Sequence, residues 1–158
     1  MKNQENHISF IHRASFRSVV LALIILFACI KMVGQDSGLT VIGNSKGVPS
    51  ELKLSQLKSI LMGERLRWQD GTKVIIALMK TNTPLGSNTC KTVYNMTADE
   101  LNKYWLALVF QGKAEAPVFF NLPGELEIFV SQTPGAIGVL GQVSGITKTI
   151  IVEGKKSI

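Results

Sequence analysis

The chain has 158 residues, a formal net charge of +6, two cysteines and two histidines. Its lysines (Lys46, Lys53, Lys58, Lys73 and Lys103 among them) are spread singly, with no basic run interleaved with aromatic residues, so the positive charge does not indicate nucleic-acid binding. Both histidines, His7 and His12, lie near the amino terminus, which leaves the rest of the chain without a histidine for a metal site or a nucleophile–base pair.

Residues 1–34 have the pattern of an export signal. A polar, basic start is followed by a run of twelve apolar residues, Val19–Ile30. This run is too short to span a bilayer, which takes about 20 apolar residues, but it suits the core of a signal peptide. We expect cleavage before Gln35; in an alternative, Cys29 becomes a lipidated amino terminus that anchors the protein. The sequence therefore predicts a periplasmic or cell-envelope protein.

The remaining residues, 35–158, have the length of a single domain. They carry thirteen basic and ten acidic residues, a net charge of +3, and their one cysteine, Cys90, has no partner for an intrachain disulfide and is expected to be buried. Glu125 and Glu127 stand two apart on a predicted helix and so face different ways. We therefore predict a binding protein rather than an enzyme, with no cofactor and no metal.

The sequence of the first half of this domain predicts two strands and a helix. The β-branched run Gly38–Gly43 predicts a strand that ends at a loop, Asn44–Gly47. Ser55 is expected to cap a short helix with one apolar face, and Gly63 to end it. The nearly continuous apolar run Lys73–Met79 predicts a strand covered on both faces, as in a sheet with helices packed on it.

The sequence of the second half of this domain predicts two helices and two strands. Thr97 and Glu100 have capping-box spacing at the start of the most regular helix. One stripe of this helix is predicted to be buried: Leu101, Tyr104, Trp105, Leu108 and Val109. A further helix begins at Pro123, and strands follow at Ala136–Leu140 and Thr149–Val152. This alternation of strands and helices predicts an α/β layer fold.

The turn after Met79 carries the clearest chemical clue. Residues Leu85–Thr89 read Leu-Gly-Ser-Asn-Thr, and Pro84 is placed to start a helix. Such a turn leaves unpaired N–H groups at the positive end of a helix, where an oxyanion binds. The same residues suit an ordinary helix cap, and the residues alone leave both interpretations open.

Several motifs occur together in one order along the chain. They are Leu54–Gly63, Trp68–Gly71, Gly86-Ser87, Tyr104-Trp105, Phe110–Gly112, Pro117 and Pro134–Gly138. In this order and spacing, the chain resembles the short, single-lobe relatives of the substrate-binding proteins of phosphate ABC transporters, over roughly residues 38–140. The resemblance implies a single lobe of a periplasmic-binding-protein type II fold, with a central sheet and helices packed on it.

The resemblance also implies which residues hold a ligand. In the full-length proteins two lobes close over phosphate, and a Gly-Ser-Gly-Thr turn supplies N–H and hydroxyl donors. Here Asn88 stands in place of the second glycine, and asparagine tolerates the same backbone angles. The loop after the first strand, Asn44–Gly47, also faces the ligand groove in these relatives, although its Asn, Ser and Gly residues equally suit an ordinary surface turn. The expected ligand-binding residues are therefore Asn44, Ser45, Gly86, Ser87, Asn88 and Thr89.

Two positions depart from the pattern of this family. Thr83 stands where the full-length proteins carry an arginine, and Cys90 stands where short relatives often have one, so a bidentate charge partner is missing. Lys80 or Lys91 is the available substitute, as a point charge.

Two functions remain open at this point. The first is an exported solute-binding-like protein that holds phosphate or a similar inorganic oxyanion at a helix N-terminus and serves phosphate ABC transport, with a permease, a homodimer or another envelope protein as partner. The second is a cell-envelope accessory domain that keeps the fold and contacts another protein without binding a ligand. The persistence of the turn chemistry favours the first, and the missing arginines favour the second.

Overall fold

A computed structural model describes residues 38–158; the predicted export segment, residues 1–34, and Cys29 lie outside the described residues. The strands are β1 (Thr40–Gly43), β2 (Glu51–Leu52), β3 (Ile75–Met79), β4 (Val118–Phe120), β5 (Ala136–Leu140), β6 (Lys148–Thr149) and β7 (Ile151–Val152). The helices are α1 (Leu54–Leu61), α2 (Pro84–Thr89), α3 (Ala98–Phe110) and α4 (Pro123–Gln132), and a π-helical segment, Cys90–Tyr94, continues α2. None of the described helices combines the length and the apolar character that crossing a membrane requires.

Five strands form the main sheet, in the order β4-β3-β5-β1-β6. Strands β4, β3 and β5 run parallel to one another, whereas β1 is antiparallel to both β5 and β6. The three parallel strands therefore finish together at one end of the sheet, which we call the carboxyl end. Strand β1 finishes at the opposite end, the amino end.

Both faces of the sheet are covered. Alternate side chains of β3 and β5 belong to two different apolar clusters, because successive residues of a strand point to opposite faces. One cluster contains Ile76 and Ile137 and packs against α1 and α3, while the other contains Ala77 and Leu140 and packs against α4. This layered arrangement confirms the predicted α/β fold with helices packed on a central sheet.

Helix α1 has the predicted apolar face, with Leu57, Ile60 and Leu61 fully buried. Its start differs from the expectation for Ser55, which lies inside the helix rather than at its cap. The backbone N–H of Lys53 is instead satisfied by the side-chain oxygen of Gln56 at 3.0 Å. Gly63 follows the helix with a φ of +72°, as the sequence predicts for a residue that ends one.

Helix α3 begins with the predicted capping box. The Thr97 hydroxyl accepts a hydrogen bond from the Glu100 N–H at 3.2 Å, and the Glu100 carboxylate accepts one from the Thr97 N–H at 2.8 Å. The buried stripe is narrower than expected, because Val109 is 43% exposed while Leu101 and Trp105 are buried. Val109 lies about 80° around the helix from Leu101, at the margin of the face that meets the core.

The carboxyl-terminal strand prediction needs a correction. Residues predicted as one strand, Thr149–Val152, are divided between two sheets: β6 pairs with β1, while β7 pairs in parallel with β2. Ile150 is fully buried at the division. The two-residue strand β2 and the three-residue strand β4 have no sequence pattern that could have predicted them, since period-two alternation needs more residues to appear.

Candidate functional site

The two segments expected to bind one ligand lie at opposite ends of the sheet. Asn44 follows β1 and its N–H donates to the carbonyl of Ala136, the first residue of β5, at 2.9 Å. This places the Asn44–Gly47 loop at the amino end, whereas α2 follows the last residue of β3 at the carboxyl end. Strand β3 spans about 13 Å at 3.3 Å per residue. One small anion therefore cannot contact both segments, and the expectation of a shared groove is wrong.

The Asn44 side chain is committed to the fold. It is 5% exposed, and its amide group donates to the carbonyls of Val130 at 2.8 Å and Ser131 at 2.9 Å. Its side-chain oxygen accepts from the N–H of Lys46 at 2.8 Å. Asn44 thus satisfies carbonyls in the last turn of α4 and closes its own loop, which uses both donors of its amide. Its neighbour Ser45 is exposed.

The Gly86–Thr89 turn, which we call the motif turn, is capped by a side chain of the protein itself. The Thr83 hydroxyl accepts from the N–H of Gly86 at 3.0 Å and donates to the carbonyl of Lys80 at 2.7 Å. The N–H of Ser87 donates to the Thr83 carbonyl at 2.9 Å. Thr83, where the resemblance leads one to expect an arginine, therefore acts as the helix N-cap, and the Gly86 and Ser87 amides already have acceptors.

Gly86 is required by close packing. It is buried, and a Cβ atom at this position would overlap the carbonyl oxygen of Lys80 and press on that of Met79. Only a residue without a side chain allows the turn to fold back against the end of β3. Packing alone therefore accounts for this glycine of the motif.

The remaining motif residues differ in what they offer to a ligand. Thr89 is 3% exposed, and its hydroxyl donates to the carbonyl of Leu85 at 2.9 Å. The side-chain oxygen of Asn88 accepts from the hydroxyl of Thr92 at 3.2 Å. Ser87 is half-buried, and its hydroxyl has no hydrogen-bond partner among residues 38–158. Of the four motif residues, Ser87 is the one with a free hydroxyl.

Other donors at the carboxyl end lie just before the motif. Within the described part of the chain, the backbone N–H groups of Thr81, Asn82 and Leu85 have no acceptor. Lys80 is exposed beside them, and a shallow depression of about 370 Å³ is lined by Lys80, Thr81, Asn82, Asn102 and Phe119. We call the group of Lys80, Thr81, Asn82, Leu85 and Ser87 the β3–α2 donor cluster. Sequence analysis named Lys80 and Ser87 and included Leu85 in the turn, but it missed Thr81 and Asn82, for which the polar run between Met79 and Pro84 was the available clue.

A second helix begins at the same end of the sheet. Helix α4 follows β4, starts with Pro123, and has no side-chain cap on its first N–H groups. Its positive dipole end therefore adds to the electrostatic potential at the carboxyl end, while the exposed Glu125 in its first turn opposes it.

Two further titratable side chains, Glu127 and Cys90, are buried. Glu127 is 3% exposed, and its carboxylate accepts from the N–H of Ser144 at 3.1 Å and from the hydroxyl of Thr147 at 3.2 Å. Burial acts to raise the pKa of Glu127, but these hydrogen bonds outweigh it and hold the pKa below its ordinary value. Cys90 is buried, as the sequence predicts for this thiol, and its burial raises its pKa.

Solved structures of phosphate-binding proteins share this fold. A protein of Clostridium perfringens described as a phosphate ABC transporter substrate-binding protein, solved with bound phosphate, matches 76% of this chain and 46% of its own length at 15% identity and a TM-score of 0.56. PstS from Borrelia burgdorferi matches 77% of this chain and 49% of its own length at 17% identity and a TM-score of 0.57. An ABC-type phosphate transport receptor from Vibrio cholerae matches at 15% identity and a TM-score of 0.51.

This chain spans about half the length of these proteins, as their covered shares of 46% to 49% indicate. The comparison confirms the fold that the resemblance implied, a single periplasmic-binding-protein-like unit. No protein-family model matches the chain, and no match was found among curated proteins. At identities of 15% to 17% the similarity shows the fold alone. The bound phosphate was observed in the Clostridium perfringens protein.

Proposed function

We propose that the chain is an exported solute-binding-like protein that binds phosphate or a similar tetrahedral oxyanion at the β3–α2 donor cluster. The observation that carries this proposal is the set of N–H groups of Thr81, Asn82 and Leu85 without acceptors in the described part of the chain. They belong to the same β3–α2 connection as the exposed Lys80 and the half-buried Ser87. Backbone N–H groups and a lysine are ordinary ligands of phosphate oxygens. Of the residues expected from the sequence, the proposed site includes Ser87 but not Gly86, Asn88 or Thr89. Its other donors come from Lys80, Thr81, Asn82 and Leu85.

The proposed binding is weak. The cluster is open to water, where each charge-assisted hydrogen bond is worth less than in a closed, dry site. We expect a dissociation constant on the order of 1 mM, equivalent to about 4 kcal/mol. A role in phosphate ABC transport would then need a second protein, such as a permease or another envelope protein, or a second copy of this chain, to cover the anion.

Calorimetric titration with phosphate and with sulfate tests the proposal. Lys80→Gln and Ser87→Ala should each weaken binding about threefold to tenfold, because each removes one donor. Two matched controls lie at the amino end of the sheet. Lys46→Gln removes the same charge and Ser45→Ala the same hydroxyl, and both should leave the affinity unchanged. Absence of heat at millimolar phosphate and sulfate, or an equal loss in Lys46→Gln and Lys80→Gln, contradicts the proposal.

A second candidate function is that of an envelope interaction domain that keeps the fold without a ligand. The specific observation in its favour is that the amides of Gly86 and Ser87 and the hydroxyl of Thr89 are satisfied inside the protein. Under this alternative the turn is a cap, and the protein acts through its surface. Retention of wild-type affinity for a protein partner in Lys80→Gln and Ser87→Ala, together with a lack of phosphate binding, would support it.

A further inference from the structure

Helix α3 has an apolar face that does not meet the core. Leu106 is 58% exposed, Val109 43% and Phe110 82%. These residues stand at positions i, i+3 and i+4, which share one side of a helix. Isolated exposed apolar residues are common on soluble proteins, but a contiguous apolar face marks a place where another surface packs.

Val109 also borders a groove of about 760 Å³ on the surface. The groove lies between the end of α3, residues 112–118 after it, and the start of β3. Its apolar lining includes Leu66, Val118 and Phe129. Leu66 is 51% exposed and Val118 38%. We call this depression, together with Leu106 and Phe110, the α3 groove. It lies on a different part of the surface from the β3–α2 donor cluster and shares no residue with it.

The charged residues that line the α3 groove are mostly basic. Lys73 forms a salt bridge with Glu115, so these two charges offset each other. Arg65 and Lys113 form no salt bridge within residues 38–158, and they leave the groove with two uncompensated positive charges. An apolar lining that also carries uncompensated basic residues is complementary to a surface that has both apolar and acidic side chains.

We propose that the α3 groove docks a segment of a partner protein that has apolar side chains on one side and carboxylates beside them. This inference shares a partner-binding role with the second candidate function, but it does not require the absence of oxyanion binding and holds whether or not the β3–α2 donor cluster takes an anion. A second copy of the chain is a poorer occupant, because a two-fold interface brings the same surface to both sides, and both sides would then carry the positive charges of Arg65 and Lys113.

Two fluorescein-labelled amphipathic peptides with identical leucine positions test this inference on the full chain. One peptide carries glutamate at every charged position and the other lysine. Fluorescence anisotropy should give an affinity for the glutamate peptide at least about tenfold higher than for the lysine peptide, a difference that shrinks as salt is added. Val109→Asp should weaken the affinity for the glutamate peptide by about tenfold or more. Lys113→Glu should reduce or reverse the preference for the glutamate peptide over the lysine peptide.

Two controls make the outcome specific. Ile146→Asp introduces the same charge at a residue that is 59% exposed and lies outside the groove, and it should leave peptide binding unchanged. Val109→Asp should leave the affinity for phosphate, measured by calorimetry, unchanged. Loss of peptide binding and loss of oxyanion binding can therefore be distinguished. Because Val109 is already partly exposed, circular dichroism should give the same fold for the variant, and Phe110→Ser provides a second variant on the same face.

Three results overturn the inference. Equal affinity for the two peptides excludes the acidic partner, and unchanged binding in Val109→Asp excludes this face while leaving a partner-binding function open. A lack of binding to both peptides, with self-association in sedimentation that Val109→Asp abolishes, assigns the groove to a second copy of the chain instead.

Discussion

The hydroxyl of Tyr94 donates a hydrogen bond of 2.9 Å to the backbone carbonyl of Leu61. Tyr94 ends the π-helical segment and Leu61 ends α1, so this bond joins two helix ends that are 33 residues apart in the chain. Tyr104 makes a similar bond of 2.7 Å to the carbonyl of Met62. Two tyrosines therefore satisfy carbonyls that a helix C-terminus leaves without intrahelical partners.

Tyr94→Phe should destabilise the protein by about 1–2 kcal/mol, because it leaves the Leu61 carbonyl buried without a donor. Burial raises the pKa of Tyr94, so the hydroxyl remains a donor throughout the neutral range. Urea unfolding measures the change. Tyr104→Phe is the matched comparison. It should lower the free energy of unfolding by less, since Tyr104 is only partly buried and water can replace its hydrogen bond. An equal loss in both variants contradicts this ranking.

Asn44→Asp should destabilise the protein by about 2–3 kcal/mol, because it replaces an amide that donates to two carbonyls with a carboxylate that repels them. Ser45→Ala, one residue along, should change the free energy of unfolding by less than about 0.5 kcal/mol, since Ser45 is exposed. Both values come from urea titrations. Wild-type stability in Asn44→Asp would show that the contacts with Val130 and Ser131 do not stabilise the end of α4.

Gly86→Ala should destabilise the protein by about 2–3 kcal/mol, because the added methyl group overlaps the Lys80 carbonyl and forces the turn away from β3. Gly124→Ala is the matched control in the first turn of α4, where no atom lies within 4 Å of the new Cβ. It should be neutral or stabilise by about 0.5 kcal/mol through helix propensity. Thermal unfolding distinguishes the two, and equal effects would contradict the packing argument.

The Glu127 carboxylate should make stability depend on acid pH. Its pKa is lowered in the folded protein, so its contribution is fully present above the unfolded pKa of about 4.3 and is lost as the pH falls through the folded pKa. Glu127→Gln should cost about 1–3 kcal/mol at pH 7, since the charge-assisted bonds from Ser144 and Thr147 are weakened. The difference between the variant and the wild type should shrink toward pH 3. Unfolding midpoints measured from pH 3 to 7 test this, and a constant difference would exclude a titrating Glu127.

The local patterns of the sequence were sufficient for most helices and strands. The capping box at Thr97, the apolar face of α1 and the continuous apolar strands β3 and β5 each follow from periodicity over several residues. The opposite orientations of Glu125 and Glu127 follow from the same periodicity, and the first is exposed while the second is buried. The predictions failed where elements were short, at β2 and β4, or where one run of residues served two sheets.

The candidate site depended on information that no local pattern contains. Gly86, Ser87 and Thr89 predict a turn with donors, but whether a donor is free depends on what Thr83 and Leu85 do in the folded chain. The Thr83 hydroxyl accepts from the N–H of Gly86 as a cap, while the N–H of Leu85 is left without an acceptor among residues 38–158.

The sequence by itself determined the layered α/β unit, the buried strands and the position of a polar turn after β3, because these depend on residue periodicity and backbone preferences along the chain. Only the tertiary structure decided that the Asn44 loop and the Gly86 turn are apart, because this depends on the antiparallel direction of β1 against β5. It also decided which polar groups face solvent, since hydrogen bonds such as that of Asn44 to Val130 join residues 86 positions apart.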